Sequence, residues 1–166
     1  MTYLITFSCY GCHLHGGASG SVDWYHNVVG TPHLPEVPSR VEMVKRQMSG
    51  REGYLLGRAE QRAAVLEAIQ EVCLFRGWGL LAAHVRMTHV HVVLVSDALP
   101  ERVLGDFKAY ASRALNALEG RIDSKRWTRH GSTRWLWKKE EACNAIRYVV
   151  EGQGRPMAVF VSLEPF

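Results

Sequence analysis

The run Thr88-His89-Val90-His91-Val92-Val93-Leu94-Val95 sets two histidines one apolar residue apart inside a stretch of β-formers. A strand puts residues i and i+2 on one face, so the imidazoles project side by side while Val90, Val92 and Leu94 face the other way. A chain carrying this run is committed to a sheet with the two rings held in register. Neutral imidazole is a common metal ligand, so the pair is half of a metal site. The competing reading is two partly exposed histidines on an edge strand.

The rest of the chain supplies elements to build around that strand. Tyr3 to Ser8 reads as a first strand. A long loop excursion occupies about residues 9–50, dense in Gly, Ser, His and Pro. Leu56 to Arg76 has helical periodicity, with Ala63, Ile69, Val72 and Cys73 among its apolar positions, and stops before Gly77. Trp78 to Val85 and His89 to Ser96, joined by Arg86-Met87-Thr88, form an antiparallel hairpin. A second helix runs from about Pro100 to Leu118 and ends at Gly120. Trp127 to Lys138 suits a hairpin whose second strand is Thr133 to Trp137. The last helix spans about Lys139 to Glu151, and Met157 to Leu163 adds an edge strand. This order predicts one α+β domain over residues 1–166, with a βαββα, ferredoxin- or RRM-like core. Its helices cover one face of an antiparallel sheet, and the His-x-His lies on a central strand.

Composition narrows the partners. Lys and Arg outnumber Asp and Glu by 20 to 16 and the sequence pI is near 9.0, a mildly basic balance compatible with nucleic acid. No apolar run approaches the roughly 20 residues that span a bilayer. Met1 to Phe7 lacks a basic n-region, so no secretory peptide and no membrane partner are expected, and the expected location is cytoplasmic. Cys9-Tyr10-Gly11-Cys12-His13 fits the pattern of c-type haem attachment, which needs export. A zinc site with His13 or His15 lacks a second C-x-x-C. Ordinary thiols at a strand end are the expectation.

Two helical tyrosines compete for a role in phosphodiester chemistry. At about 100° per residue, the last helix carries its apolar stripe at Ala142, Ala145, Ile146 and Val149, and Tyr148 falls roughly 140° from its centre. Tyr110 lies only about 80° from the stripe formed by Val103, Leu104, Phe107, Ala111 and Leu118, and so borders the core. On this geometry Tyr148 is either a nucleophile or an exposed surface aromatic.

Taken together, the motifs match a known pattern. His89-Val90-His91 on a strand, a helix with Lys108 and Arg113, Trp135-Leu136-Trp137, and a last helix reading Ala145-Ile146-Arg147-Tyr148-Val149-Val150-Glu151-Gly152-Gln153 resemble the single-tyrosine HUH transposases. These are small insertion-sequence transposases acting on single-stranded DNA, and their domesticated relatives. The resemblance implies Mg²⁺ or Mn²⁺ bound by His89 and His91. It implies Tyr148 as nucleophile, leaving a 5′-phosphotyrosine and a free 3′-OH. It also implies hairpin-bearing DNA ends as partner and a homodimer whose subunits share active sites. A free phenol has a pKa near 10, so it needs help to attack, and a cation at the phosphate provides charge stabilisation. In the family a glutamine four residues after the tyrosine completes the metal site. Here that position is Gly152, so either Gln153 swings back where the helix ends or Glu151 takes the role; the glycine favours Gln153.

The segment from Lys125 to Lys139 interleaves cations with indoles, as single-strand binders do. Arg129, Arg134 and Trp135 are its candidate DNA contacts, while Trp137 is assigned to the core. Lys108 and Arg113 are candidates to face phosphates, against the plainer reading of solvated helix cations. Two rivals remain. A non-catalytic single-strand-binding RRM-like module would need neither the His pair nor a polar-face tyrosine. A two-histidine phosphoesterase would carry two separated His-x-Thr/Ser motifs.

Overall fold

Strand β1 (Thr2–Ser8) alternates, with Tyr3, Ile5 and Phe7 in one apolar cluster and Leu4 in another on the opposite face. The structure is a computed structural model that describes residues 1–12, 53–122 and 125–163. Most of the long excursion, including His13 and His15, lies outside the described residues.

After the excursion come α1 (Ala59–Arg76), β2 (Gly79–Val85), β3 (His89–Val95) and α2 (Pro100–Glu119), then β4 (Ser132–Leu136), α3 (Lys139–Val150) and β5 (Ala158–Val161). The strands form one antiparallel sheet in the order β4-β1-β3-β2-β5, so β3 is its middle strand. The α+β sheet expected from the sequence is therefore present. Helix α1 stops where Gly77 adopts φ 70°, with Gly77 N–H donating to the Leu74 carbonyl and Trp78 N–H to that of Cys73. That paired capping needs the left-handed region that glycine enters freely.

The helices cover both faces of the sheet, not one. Helices α1 and α2 bury Val65, Ile69, Val72, Val103, Phe107 and Leu115 against Tyr3, Ile5, Phe7, Val90, Val92 and Leu94. On the other face α3 lays Ala142, Ala145 and Val149 over Leu4, Ala82, Val93 and Leu136. The reason is legible in β3 itself. Val92-Val93-Leu94 is continuously apolar, the pattern of a strand covered on both sides. Two helical positions also differ from expectation: Ala63 and Leu118 are exposed, while Val65 and Leu115 take their places in the core.

Residues 127–138 do not form a hairpin. Trp127 makes an isolated bridge to Cys9, and only β4 joins the sheet, at the edge beside β1. Between them Lys108 Nζ donates to the carbonyls of Thr128, Arg129 and His130 at 2.8, 3.3 and 3.2 Å. Those carbonyls are thus spent on an ammonium instead of a partner strand. The turn leads into β4 through Gly131, where a Cβ would stand 2.6 Å from the Thr6 carbonyl oxygen.

At the end of β1, Cys9 is a buried free thiol, and burial pushes its pKa up to about 12. Cys12 Sγ lies 3.0 Å from the Tyr54 carbonyl oxygen. No helix among the described residues is long and apolar enough to cross a membrane.

Candidate active site

Alternation along β3 sends His89, His91 and Val93 to the face under α3. The two imidazole centroids are 4.7 Å apart with planes at 74°. Each ring is anchored through Nδ1: Thr88 Oγ1 stands 2.9 Å from His89 Nδ1, and Thr6 Oγ1 stands 2.7 Å from His91 Nδ1. Thr6 is the cross-strand partner of His91, so sheet register aims this contact. Anchoring one ring nitrogen fixes the orientation of the other.

Helix α3 brings the tyrosine and the glutamine. Its N-terminus is tied by Glu141, whose Oε2 accepts from the Trp137 and Lys138 backbone N–H groups at 2.8 and 3.2 Å. Those two bonds hold the Glu141 carboxyl below its ordinary pKa. Tyr148 lies off the buried stripe, 44% exposed, at the end of the helix that passes over β3. Its ring centroid is 5.6 Å from that of His91.

The helical bonding then runs on for two residues, Glu151 N–H to Arg147 O at 2.8 Å and Gly152 N–H to Tyr148 O at 3.0 Å. Beyond Gly152 the chain turns back. Gln153 Nε2 donates to the Tyr148 carbonyl at 3.3 Å, and Gln153 Oε1 lies 3.1 Å from His91 Nε2. Glu151 is exposed. Of the two candidate third ligands, the fold brings Gln153 to the histidine.

Gly152 sits hard against the tyrosine backbone. A Cβ there would stand 2.8 Å from the Tyr148 carbonyl oxygen and 3.1 Å from Tyr148 Cδ2. The first of these contacts is backbone and cannot swing aside. Gly152→Ala is therefore expected to push Gln153 off His91 at a cost of about 1–3 kcal/mol, as overpacked sites show. Urea denaturation and Mn²⁺ titration would check this, with the weakening of Mn²⁺ binding exceeding the modest loss of stability. Unchanged Mn²⁺ affinity would show that the close approach is unimportant.

Burial, reinforced by the charge His89 would carry, holds His91 down from 6.5 to about 3. It is therefore neutral across the physiological range. With Gln153 presenting its oxygen, His91 Nε2–H donates to Oε1 and Nδ1 accepts from Thr6. Moving the proton to Nδ1, where Thr6 Oγ1 can accept it, turns Nε2 into a lone-pair donor beside Oε1.

Two neighbouring ligands of a small octahedral cation, each at about 2.1 Å, stand about 3.0 Å apart. The His91–Gln153 separation of 3.1 Å is that of a hydrogen bond, and both atoms could turn to one ion. Imidazole and amide ligands bring no charge of their own, so a divalent ion held there would keep its full charge for a phosphate. Two imidazoles and an amide oxygen are a donor set that could take a divalent metal ion. Among the described residues no group of three or more His, Cys, Asp or Glu could hold a metal ion.

The same burial makes the protein acid-sensitive. In the unfolded chain His91 takes a proton as pH falls through about 6.5, whereas the folded protein refuses it until about 3. The unfolded state binds more protons across that window, so stability present above it is lost as pH falls. Each pH unit removes up to about 1.4 kcal/mol. Thermal melts between pH 7 and 5, above the carboxylate range, should show Tm falling in the parent and falling less in His91→Gln. Equal slopes would contradict the assignment.

His84 was not legible as part of the site. It is the cross-strand partner of His91 and is fully buried. Its Nδ1 lies 2.9 Å from the Val149 carbonyl oxygen, and the Met157 N–H donates to Nε2 at 3.2 Å. A neutral ring donating at Nδ1 thus ties together both ends of the segment that carries Gln153. Burial lowers its pKa, which keeps the accepting nitrogen available. The only sequence signal is a histidine two residues after Ala82 in a strand whose neighbours are all apolar.

The expected DNA contacts are spread across the surface. The Lys108 ammonium is occupied by the three carbonyls of the 128–130 turn. Arg113 is exposed, its guanidinium 4.2 Å from the Tyr110 ring centroid. Arg129 is exposed on the turn before β4, and Arg134, paired with Leu4 in the ladder, is half-buried on the α3 face. Trp135 is half-buried, edge-on to Tyr3 at 4.8 Å. Trp137, assigned to the core by its sequence, is 71% exposed and stacks on Trp135 at 5.2 Å with planes 8° apart. Leu136 takes the core position, and the strand ends before Trp137.

No protein-family model matches the chain, and no curated protein sequence matches it. Among solved structures, it is similar to a REP-associated tyrosine transposase bound to a REP hairpin, at 10% identity and a TM-score of 0.49. That likeness covers 91% of this chain and 65% of the other, so the chain spans about two thirds of the length of that neighbour. A candidate transposase from Deinococcus radiodurans is similar at 10% identity and a TM-score of 0.47, covering 90% of this chain and 88% of the other. At such identities and scores neither likeness assigns a function.

Proposed function

We propose that this chain is a metal-dependent, single-stranded DNA endonuclease and transposase that cleaves and rejoins strands through a 5′-phosphotyrosine on Tyr148. The observation that carries the reading is convergence. Tyr148, His91, His89 and Gln153 come from a helix, a strand and a turn, and meet on one face of the sheet.

His89, His91 and Gln153 would hold Mg²⁺ or Mn²⁺, which when bound stabilises the charge that builds on a phosphodiester. Tyr148 Oη attacks phosphorus as its phenolic proton leaves to solvent. The bond to the 3′-oxygen breaks, and that oxygen takes a proton to become a free 3′-OH. The DNA 5′ end stays attached to the tyrosine. A returning 3′-OH reverses the step and joins strands without further energy input. The exposure of Tyr148 suits this task, because a polymer must reach the phenol and the adduct must protrude.

One chain carries the whole cluster, so the reading assembles each site within a single subunit. The shared-site homodimer that the resemblance implied is not needed to bring Tyr148 to the histidines. Exposed Trp137, backed by Trp135 and flanked by Lys138 and Lys139, offers unpaired bases a face to stack on.

The test is to incubate the protein with labelled single-stranded oligonucleotides covering the flanks of its own gene. Cleavage should require Mg²⁺ or Mn²⁺, stop in EDTA, and leave one product attached to protein. Binding without cleavage in every metal would instead favour a non-catalytic single-strand-binding module.

A further inference from the structure

The tight turn between β2 and β3 puts another group on the face of the two histidines. Val85 pairs with Val90, and the next pair outward is Arg86 with His89, where the Arg86 N–H donates to the His89 carbonyl at 2.9 Å. Directly opposed residues of an antiparallel pair share a face, with Cβ atoms about 4.5–5.5 Å apart. Val85 and Val90 belong to the cluster under α1 and α2. Alternation therefore turns Arg86 toward the opposite face, with His84, His89 and His91.

The side chain does not spread over the surface. It is half-buried, and Nη1 donates at 3.1 Å to the carbonyl of Arg155, two residues beyond Gln153. Its charge reaches both His91 and His84, disfavouring their protonated forms. Among the described residues no carboxylate forms an ion pair with it. A guanidinium set beside imidazoles that would themselves hold a divalent cation gathers positive charge with no anion to balance it. A phosphodiester is the anion that the proposed reaction brings there.

We propose that Arg86 binds the nonbridging oxygens of the phosphodiester attacked by Tyr148 and offsets their charge while the attacking and leaving oxygens are both partly bonded. This rests on the endonuclease reading above. The bond to Arg155 fixes the plane of the guanidinium, and the rest of its donor fork is matched to phosphate oxygens. A lysine would keep the charge but lose both the plane and the tie to Arg155.

The test is single-turnover adduct formation in Mn²⁺ on the gene-flank oligonucleotides, comparing the parent with Arg86→Lys and Arg86→Ala. Both variants should keep Mn²⁺ affinity and single-strand binding within a few-fold. Loss of one donor aimed at a charged transition state typically slows chemistry about 10²–10³-fold, and that is the drop expected here. Guanidinium chloride at millimolar levels should restore part of the rate in Arg86→Ala and none in Arg86→Lys, an outcome a structural strap would not give. Parental rates in Arg86→Ala, or a rate loss that merely follows lost Mn²⁺ affinity, would overturn the assignment. A parent that forms no adduct overturns it together with the endonuclease reading. A parent that forms adduct while Arg86→Ala matches it overturns only the role of Arg86.

Discussion

His89→Ala is expected to lower DNA cleavage by about 10³-fold or more, because on the proposed reading it removes one of three donors for an ion that would offset phosphate charge, an effect worth several kcal/mol. His91→Ala should do the same, but it is the less clean variant. His91 is only 6% exposed and bonds Thr6 and Gln153, so alanine leaves both without their partner. Both groups are half-buried, so each loss should cost less than the about 1–3 kcal/mol of a fully buried polar group. His89 is half-buried, and its replacement should leave Tm nearly unchanged while Mn²⁺ binding falls. Cleavage at the parental rate in His89→Ala would show that the ring is not a ligand.

The same variant settles where the site is assembled. Mixing His89→Ala subunits with Tyr148→Phe subunits should leave activity absent, because each chain lacks part of its own cluster. Recovery of cleavage would mean that the tyrosine of one subunit serves the histidines of another.

Strong local rules made much of this legible from residues alone. The spacing of His89 and His91 placed both rings on one face of the middle strand, and the glycines after Arg76 and Glu119 ended their helices where expected. Wheel position set Tyr148 off the buried stripe of α3. Its proximity to His91 was not readable, because it depends on α3 crossing the face opposite to α1 and α2. The continuous apolar run in β3 signals two covered faces but does not say which helix covers which. Gln153 was favoured over Glu151 because a glycine precedes it. The structure sets Gln153 Oε1 3.1 Å from His91 Nε2 and leaves Glu151 exposed.

Four residues escaped because their settings depend on more than local pattern. Lys108 looked like a solvated or DNA-facing cation, yet it binds three carbonyls twenty or more residues away in sequence, a contact that no periodicity encodes. Trp137 alternated correctly for a strand, but the strand ends one residue earlier. His84 and Arg86 come beside His91 and His89 through register across the hairpin, and pairing partners are set by the turn rather than by either strand alone.

The most direct measurement of the central claim is covalent capture of labelled single-stranded DNA by the parent, Tyr148→Phe and Tyr110→Phe, read on a denaturing gel in Mn²⁺. Tyr148→Phe removes one oxygen and keeps the ring against His91, and at 44% exposure it should not change stability measurably. The expected result is an adduct with the parent and with Tyr110→Phe, and neither adduct nor cleavage with Tyr148→Phe, although single-strand binding persists. An adduct that survives in Tyr148→Phe and vanishes in Tyr110→Phe would place the nucleophile on the wrong helix. Cleavage unaffected by either change would make water the nucleophile and contradict the transposase reading outright.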